Sequence, residues 1–178
     1  MQQAVDNSSK FNRLNIFENF LSSDLQVEVL KVLREPGWSL GYAPAIAGEN
    51  RPQETLWHMN GLERNPLFGE TIFRRVCELF QTDFQVKRIY ANGQLACQKG
   101  RIHRDDGDLT FVYFPLQEWL PEWGGSLMFY QNGEVMNCVS YKPNRALSFP
   151  AKVPHGAEAP SKDYQGMRVS IGFKLYLP

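Results

Sequence analysis

Two of the three histidines in the chain and one carboxylate stand where they could hold a metal ion. His103-Arg104-Asp105 places an imidazole and a carboxylate at i and i+2. In extended backbone, alternate side chains project to the same side, so both can reach one ion. His155 follows much later, inside Val153-Pro154-His155-Gly156. Two imidazoles and one carboxylate on one face of a metal leave three coordination positions open.

A fourth residue extends the pattern. Arg168 begins Arg168-Val169-Ser170 within an apolar stretch, residues 167–176. A cation interrupting a core strand is costly unless it is paired. A guanidinium satisfies a carboxylate with two parallel hydrogen bonds, and the far carboxylate of 2-oxoglutarate is a suitable partner. Ser170, two residues on and so on the same face, could donate to that carboxylate too. Each piece alone has a plainer reading. A single His-x-Asp is a weak signal, and His155 beside proline and glycine could be a loop residue. Asp105-Asp106-Gly107-Asp108 could be a turn or an acidic loop, although it lacks the further spacing of a calcium-binding hand. Arg168 could pair with an acid at the edge of the core. In this order and among strands, the four together point to non-haem Fe(II) oxygenase chemistry. A chelating 2-oxo acid would take two of the open positions and dioxygen the third.

The elements that must carry these residues change character along the chain. Ser22 or Ser23 can cap a helix running to about Glu35, with Leu25, Val29, Val32 and Leu33 on one stripe and Pro36-Gly37 as its stop. Asn65-Pro66 starts a second helix, and Phe68, Ile72, Val76, Leu79 and Phe80 recur at helical spacing to about Gln81. From residue 84 the chain turns to short runs rich in aromatic and β-branched residues. Strands are expected at 84–91, 109–116, 126–130, 135–141, 146–149 and 167–176. Asn92-Gly93 and Asn132-Gly133 read as hairpin turns, and Lys142-Pro143-Asn144 as another. Residues 41–62, rich in glycine, proline and polar side chains, read as a long loop or irregular hairpin able to act as a lid. His58 lies within it and is expected to be a surface or packing residue. Trp119-Leu120-Pro121-Glu122-Trp123 reads either as the lining of a peptide groove or as packing. Two helices followed by many short strands suggest a β-barrel or sandwich backed by helices.

Composition bounds the rest. The 178 residues fit one domain, 1–178, and nineteen basic residues balance nineteen acidic ones. With no basic stripe, no nucleic-acid partner is expected. No stretch approaches the ~18 apolar residues of a membrane helix, and residues 1–10 are too polar for a signal peptide. The three cysteines, Cys77, Cys97 and Cys138, fit neither a disulfide framework nor a zinc knuckle, so a cytoplasmic setting is expected.

From about residue 84 to 177 the chain resembles the prolyl 4-hydroxylase-like branch of the Fe(II)/2-oxoglutarate-dependent dioxygenases. The matching pieces begin with Tyr90-Ala91-Asn92-Gly93-Gln94, His103-Arg104-Asp105 and Leu109-Thr110-Phe111-Val112-Tyr113-Phe114. Glu122-Trp123-Gly124-Gly125-Ser126-Leu127, His155 and Arg168-Val169-Ser170-Ile171 follow. Residues 1–83 match only in general plan. The resemblance implies a mainly β, α+β fold: a double-stranded β-helix, or jelly roll, over about 84–178, with N-terminal helices packed on its major sheet. It implies that His103, Asp105 and His155 bind Fe(II), that Arg168 pairs with the C5 carboxylate of 2-oxoglutarate, and that Tyr90 hydrogen-bonds the same cosubstrate. Dioxygen would be the second cosubstrate and ascorbate an auxiliary. The implied reaction is hydroxylation of an unactivated C–H, first of all in a prolyl residue of a peptide or protein, with release of succinate and CO2. A free amino acid or small metabolite is the alternative substrate, and a cupin-like metal-binding module without turnover the alternative function. In two places the pattern differs within the branch. Some relatives carry a second cosubstrate tyrosine where this chain has Tyr113-Phe114, and many collagen-type relatives have lysine where Arg168 stands.

Overall fold

The structure, a computed structural model, describes residues 8–42 and 55–178. A helical turn, α1 (Ser8–Phe11), and a short strand, β1 (Asn15–Phe17), precede α2 (Ser23–Arg34). Ser22, in extended backbone, accepts the Leu25 amide and caps α2, while Asp24 in the first turn and Lys31 and Arg34 in the last match the helix dipole. Strands β2 (Ser39–Tyr42) and β3 (Thr55–Met59) pair antiparallel. Of the loop or irregular hairpin expected over 41–62, the ends pair as a hairpin; residues 43–54, the middle of the expected lid, lie outside the described residues. Asn65 accepts the Leu67 amide at 2.9 Å and opens a π-helical turn, Leu67–Ile72, that runs into α3 (Phe73–Phe80). Gln81, left-handed at φ 48°, ends it.

Seven further strands follow: β4 (Gln85–Gln94), β5 (Leu109–Tyr113), β6 (Leu127–Gln131), β7 (Glu134–Val139), β8 (Ala146–Pro150), β9 (His155–Ala157) and β10 (Arg168–Tyr176). They form a seven-stranded sheet in the order β1-β8-β5-β10-β4-β3-β2 and a three-stranded sheet in the order β7-β6-β9, with every pair antiparallel. Residues 132–133 make the expected tight turn between β6 and β7, with Asn132 and Gly133 both at positive φ, 53° and 85°. Asn92-Gly93 does not turn. It continues β4 as a central strand, with Asn92 opposite Ser170 of β10 on one side and His58 of β3 on the other. Hydrogen-bonding neighbours on both edges outweigh the local turn preference.

Side-chain alternation on β10 divides the interior in two. Val169, Ile171, Phe173 and Leu175 pack with Val29, Leu33, Phe68, Ile72, Val76 and Phe80, so this face of the large sheet carries the helices. Arg168, Ser170, Gly172 and Lys174 consequently face the small sheet. Phe114, Leu127, Phe129, Leu147 and Phe149 form a second apolar cluster between the sheets. This is the double-stranded β-helix, with helices on the major sheet.

Phe111 sits at the centre of the helix-side core, fully buried, with ring centroids of Phe20 at 5.1 Å, Phe173 at 5.8 Å and Phe17 at 6.0 Å. Phe111→Ala should destabilise by ~3–5 kcal/mol through lost transfer energy and the cavity left behind. That corresponds to a fall in melting temperature of roughly 6–20 °C for a chain of this size. Ile16→Ala, at a side chain 47% exposed, should change stability by under ~0.5 kcal/mol. Thermal denaturation of the two variants checks the contrast; equal losses would place the core elsewhere.

Candidate metal centre

The three proposed ligands come from two adjacent extended segments at the edge of the small sheet. His103 and His155 exchange both backbone hydrogen bonds, each 2.9 Å, and Asp105 N donates to Ala151 O at 2.8 Å. Close approach of these segments needs Gly156, where a Cβ would stand 2.8 Å from Arg101 O. The two imidazole centroids are 4.4 Å apart, and Phe149 packs edge-on against His155 at 4.6 Å.

Backbone carbonyls fix which nitrogen each ring presents. His103 Nδ1 lies 2.8 Å from Arg101 O and His155 Nδ1 lies 2.9 Å from Val153 O. A carbonyl only accepts, so each Nδ1 carries the proton and each Nε2 offers a lone pair. Both Nε2 atoms face Asp105: His103 Nε2 is 3.5 Å from Oδ1, and His155 Nε2 is 3.3 Å from Oδ2. All three candidate ligand atoms lie within 4.8 Å of one another. Ligands at ~2.1 Å from an octahedral ion stand ~3 Å apart when adjacent, so the cluster fits one divalent metal. Asp105 and His155 are buried, whereas the His103 side chain is 43% exposed, which puts the open side of the cluster toward solvent.

Charge follows from these contacts. Burial pushes the Asp105 carboxyl up, but Lys174, His103 and His155 outweigh it and hold the group well below the usual carboxylate range. Burial also disfavours the charged form of His103, yet the Asp105 carboxylate and the Arg101 carbonyl leave its pKa raised. For His155, burial outweighs the pull of Asp105 and lowers it. Thr110 Oγ1 donates to Asp105 Oδ2 at 2.7 Å, and the buried Lys174 ammonium contacts the same oxygen.

Arg168 lies further along the inner face of β10, only 1% exposed. Its Nε donates to Gly125 O at 2.7 Å and one terminal nitrogen donates to Gln94 Oε1 at 2.8 Å. The other terminal nitrogen is buried without a hydrogen-bond partner. Phe114 and Tyr141 cover the guanidinium, with ring centroids 5.5 and 5.1 Å from its carbon. Burial lowers its pKa to about 10. No carboxylate among the described residues hydrogen-bonds it, and the Glu158 carboxylate acts on it only through space. A buried cation with a free donor fits the missing carboxylate of a 2-oxo acid. Gly125, left-handed at φ 73°, keeps the space open: a Cβ there would stand 2.9 Å from Arg168 Cδ and 3.0 Å from Trp119.

The remaining expectations sort by register. Tyr90 and Ser170 both lie on the inner face; Tyr90 packs over Gly172, where a Cβ would meet its ring at 3.1 Å. Tyr113 faces the other way, its hydroxyl donating to Asn144 Oδ1 at 3.3 Å, while Phe114 faces Arg168. Trp119 is a packing residue, with Tyr141 at 4.3 Å and Tyr164 at 4.6 Å. His58 stands opposite Asn92 and hydrogen-bonds it through Nδ1 at 2.8 Å, outside the ligand cluster. The residues that sequence reasoning passed over are Lys174 and Gln94. Lys174 carried the same signal as Arg168, a cation in a core strand on the same face.

No family model and no curated protein matches the sequence. Solved structures do match the fold. A prolyl hydroxylase from Trichoplax adhaerens, in complex with a peptide fragment of the hypoxia inducible factor oxygen degradation domain, superposes with a TM-score of 0.67. It is 21% identical, over 93% of this chain and 84% of that one. A prolyl-4-hydroxylase from Pseudomonas putida gives a TM-score of 0.63 at 16% identity, covering 94% of this chain and 98% of its own. HygX from Streptomyces hygroscopicus, with nickel and 2-oxoglutarate bound, gives 0.62 at 9% identity, covering 92% and 83%. The fold is thus similar to that of solved prolyl hydroxylases and a 2-oxoglutarate-Fe(II) oxygenase family member, and the chain carries a His-Asp-His cluster of its own.

Proposed function

We propose that this chain is an Fe(II)- and 2-oxoglutarate-dependent dioxygenase that hydroxylates an unactivated C–H, in a prolyl residue of a peptide or protein. One observation carries the reading. A three-ligand cluster with both Nε2 lone pairs turned inward shares an interior with a buried guanidinium that has a donor to spare. A cupin-like module that only stored metal would have no use for the second feature. The prolyl substrate is supported by two structural neighbours, one of them a complex with a peptide.

His103, Asp105 and His155 would hold the metal on one face. Bound Fe(II), with 2-oxoglutarate and dioxygen, would supply the oxidising power, and decarboxylation of the oxo acid would give succinate and CO2. The chain's own part is placement. Arg168 would receive the C5 carboxylate, with Ser170 on the same face two residues on and Tyr90 further along it. Phe114 and Tyr141 keep water from the guanidinium, and Phe149 walls His155, so both ends sit in a low-dielectric slot where charge interactions are strong. His103 lies at the exposed side, where a substrate can approach.

The test is purified protein with Fe(II), ascorbate and 2-oxoglutarate, offered proline-containing peptides, free proline and other amino acids in parallel. Succinate release coupled to a mass gain of one oxygen on a peptide is the expected result. Coupling to a free amino acid alone would move the substrate class, and no succinate with any of them would remove the enzyme reading.

Two sets of variants divide the site. Alanine at His103, Asp105 or His155 should abolish tight metal uptake and turnover together; a titration with Fe(II) or Mn(II) that matched wild type would dismiss the ligand set. Arg168→Ala should leave metal uptake in place and weaken 2-oxoglutarate by ~2–5 kcal/mol, the range for truncating a buried hydrogen-bonded charge pair. Tyr90→Phe should weaken it by ~0.5–1.5 kcal/mol, as for one neutral hydrogen bond. Calorimetry of 2-oxoglutarate binding to the metal-loaded proteins separates these outcomes.

A further inference from the structure

Lys174 is a buried cation of the inner face that the proposed reaction leaves without a task. It is 2% exposed, its ammonium contacts Asp105 Oδ2, and it lies 5.4 Å from the Tyr90 ring centroid. Thr110 Oγ1 donates to the same Oδ2. That oxygen is thus held by two donors from the large sheet, and Oδ1, turned toward His103 Nε2, is the oxygen left for a metal.

The buried charges make the arrangement unusual. Asp105 is the only carboxylate among the buried residues described, and two cations, Arg168 and Lys174, share its interior. Counting these buried groups alone, with both imidazoles neutral as metal ligands must be, the inner face carries one surplus positive charge before any metal arrives; the exposed Glu158 carboxylate acts on Arg168 from outside it and leaves Lys174 to Asp105. A divalent ion raises that surplus further, beside an ammonium that already shares its carboxylate. A dianionic oxo acid brings the surplus back to where it began. In a low-dielectric slot these changes are not screened as they are in water.

Resting on the proposed reading of the site, we propose that Lys174 is a positioning residue that couples the two ligands: it weakens divalent metal binding alone and strengthens it once a dianionic oxo acid is present. Coupling of this kind is reciprocal, so each ligand tightens the other by the same factor. The device disfavours a metal held without cosubstrate, the state in which oxidising chemistry would have no substrate to act on.

The experiment is a Mn(II) titration followed by electron paramagnetic resonance, with and without 2-oxoglutarate, on wild type, Lys174→Met, Lys174→Arg and Thr110→Val. Wild type should bind Mn(II) roughly tenfold or more tightly with 2-oxoglutarate, within the usual range of site coupling. Lys174→Met should bind Mn(II) alone more tightly than wild type and lose most of that enhancement; Lys174→Arg, which keeps the charge, should retain it. Thr110→Val removes a neutral donor to the same oxygen and should shift both affinities together, leaving the ratio intact. Lys174→Gln gives the same comparison if the methionine variant does not fold. An enhancement that survives in the Met or Gln variant overturns the inference and leaves the metal site standing. Absence of enhancement in wild type that does bind both ligands overturns it as well. Wild type that takes up no Mn(II) overturns the site itself, and the inference with it.

Discussion

A guanidinium taken out of water costs several kcal/mol unless its donors are met, and Arg168 is met only in part. Gly125 O and Gln94 Oε1 take two of its nitrogens, aromatic rings cover its faces, and its third nitrogen stays empty. Such an arrangement survives only because the surrounding fold is over-determined. Gln94 comes from the neighbouring strand, in register opposite Arg168, and Gly125 from the loop ahead of β6. Tyr141 is fixed by its own hydrogen bond to Val169 O at 2.8 Å, and Trp119 packs against it at a tilt. Breaking any of these contacts leaves an unmet cation in an aromatic cleft. The second core, between the sheets, is best understood as the support for that charge.

The large sheet reconciles this with stability by keeping its two faces separate. On β10, each inward polar residue is followed by an outward apolar one, so the strand is anchored by Val169, Ile171, Phe173 and Leu175 while it carries Arg168, Ser170 and Lys174 on the other side. β5 repeats the device, with Leu109, Phe111 and Tyr113 toward the helices and Thr110 inward, and Phe114, just past its end, faces inward as well. Side chains that violate ordinary core composition are thus confined to one face, as expected where a fold trades local consistency for function. The helices contribute no ligand, but the area they bury on the outer face offsets the cost of the inner one.

This division explains what could be read from the sequence. His103 and Asp105 were legible because an i, i+2 pair needs only extended backbone to converge, and Arg168 because a cation is conspicuous in an apolar run. Asn65-Pro66 and Asn132-Gly133 were legible because their conformations are local. Asn92-Gly93 misled for the complementary reason: its preference is for a turn, but strands on both sides hold it extended. β9 spans three residues and presents no periodicity, so nothing marks it apart from the partner segment that carries His103. Of the two readings of residues 41–62, a loop or an irregular hairpin, the apolar Leu56, Trp57 and Met59 of β3 favour the second, since β3 lies between β4 and β2 in the large sheet. Lys174 was visible by the reasoning that found Arg168, with the same alternation placing both on one face. Its partner, Asp105, lies far away in sequence, and only the folded chain reveals it.

Register also decides which side chains the proposed oxo acid would meet. Tyr113 and Phe114 are adjacent, so only one of them can face the slot, and the sheet turns the phenyl ring inward. Tyr113 instead joins Asn144, whose side chain also bonds Leu21 N and Leu21 O at 2.9 Å each, tying the segment ahead of α2 to the sheet. Tyr141 does approach Arg168, but its hydroxyl is committed to the backbone of β10. Neither tyrosine on that side can offer a hydroxyl to a carboxylate at Arg168. Other inward donors stand elsewhere, among them Ser170, two residues along β10, Asn92 opposite it, and Tyr90, over Gly172. A carboxylate at this site would depend on the guanidinium itself more than on neutral donors, which makes charge rather than hydroxyl placement the main discriminator. A second cation at the far end of the same strand then matters for the same reason. Arg168 and Lys174 are buried on one face of one strand, and an acidic ligand entering the proposed site would meet both cations.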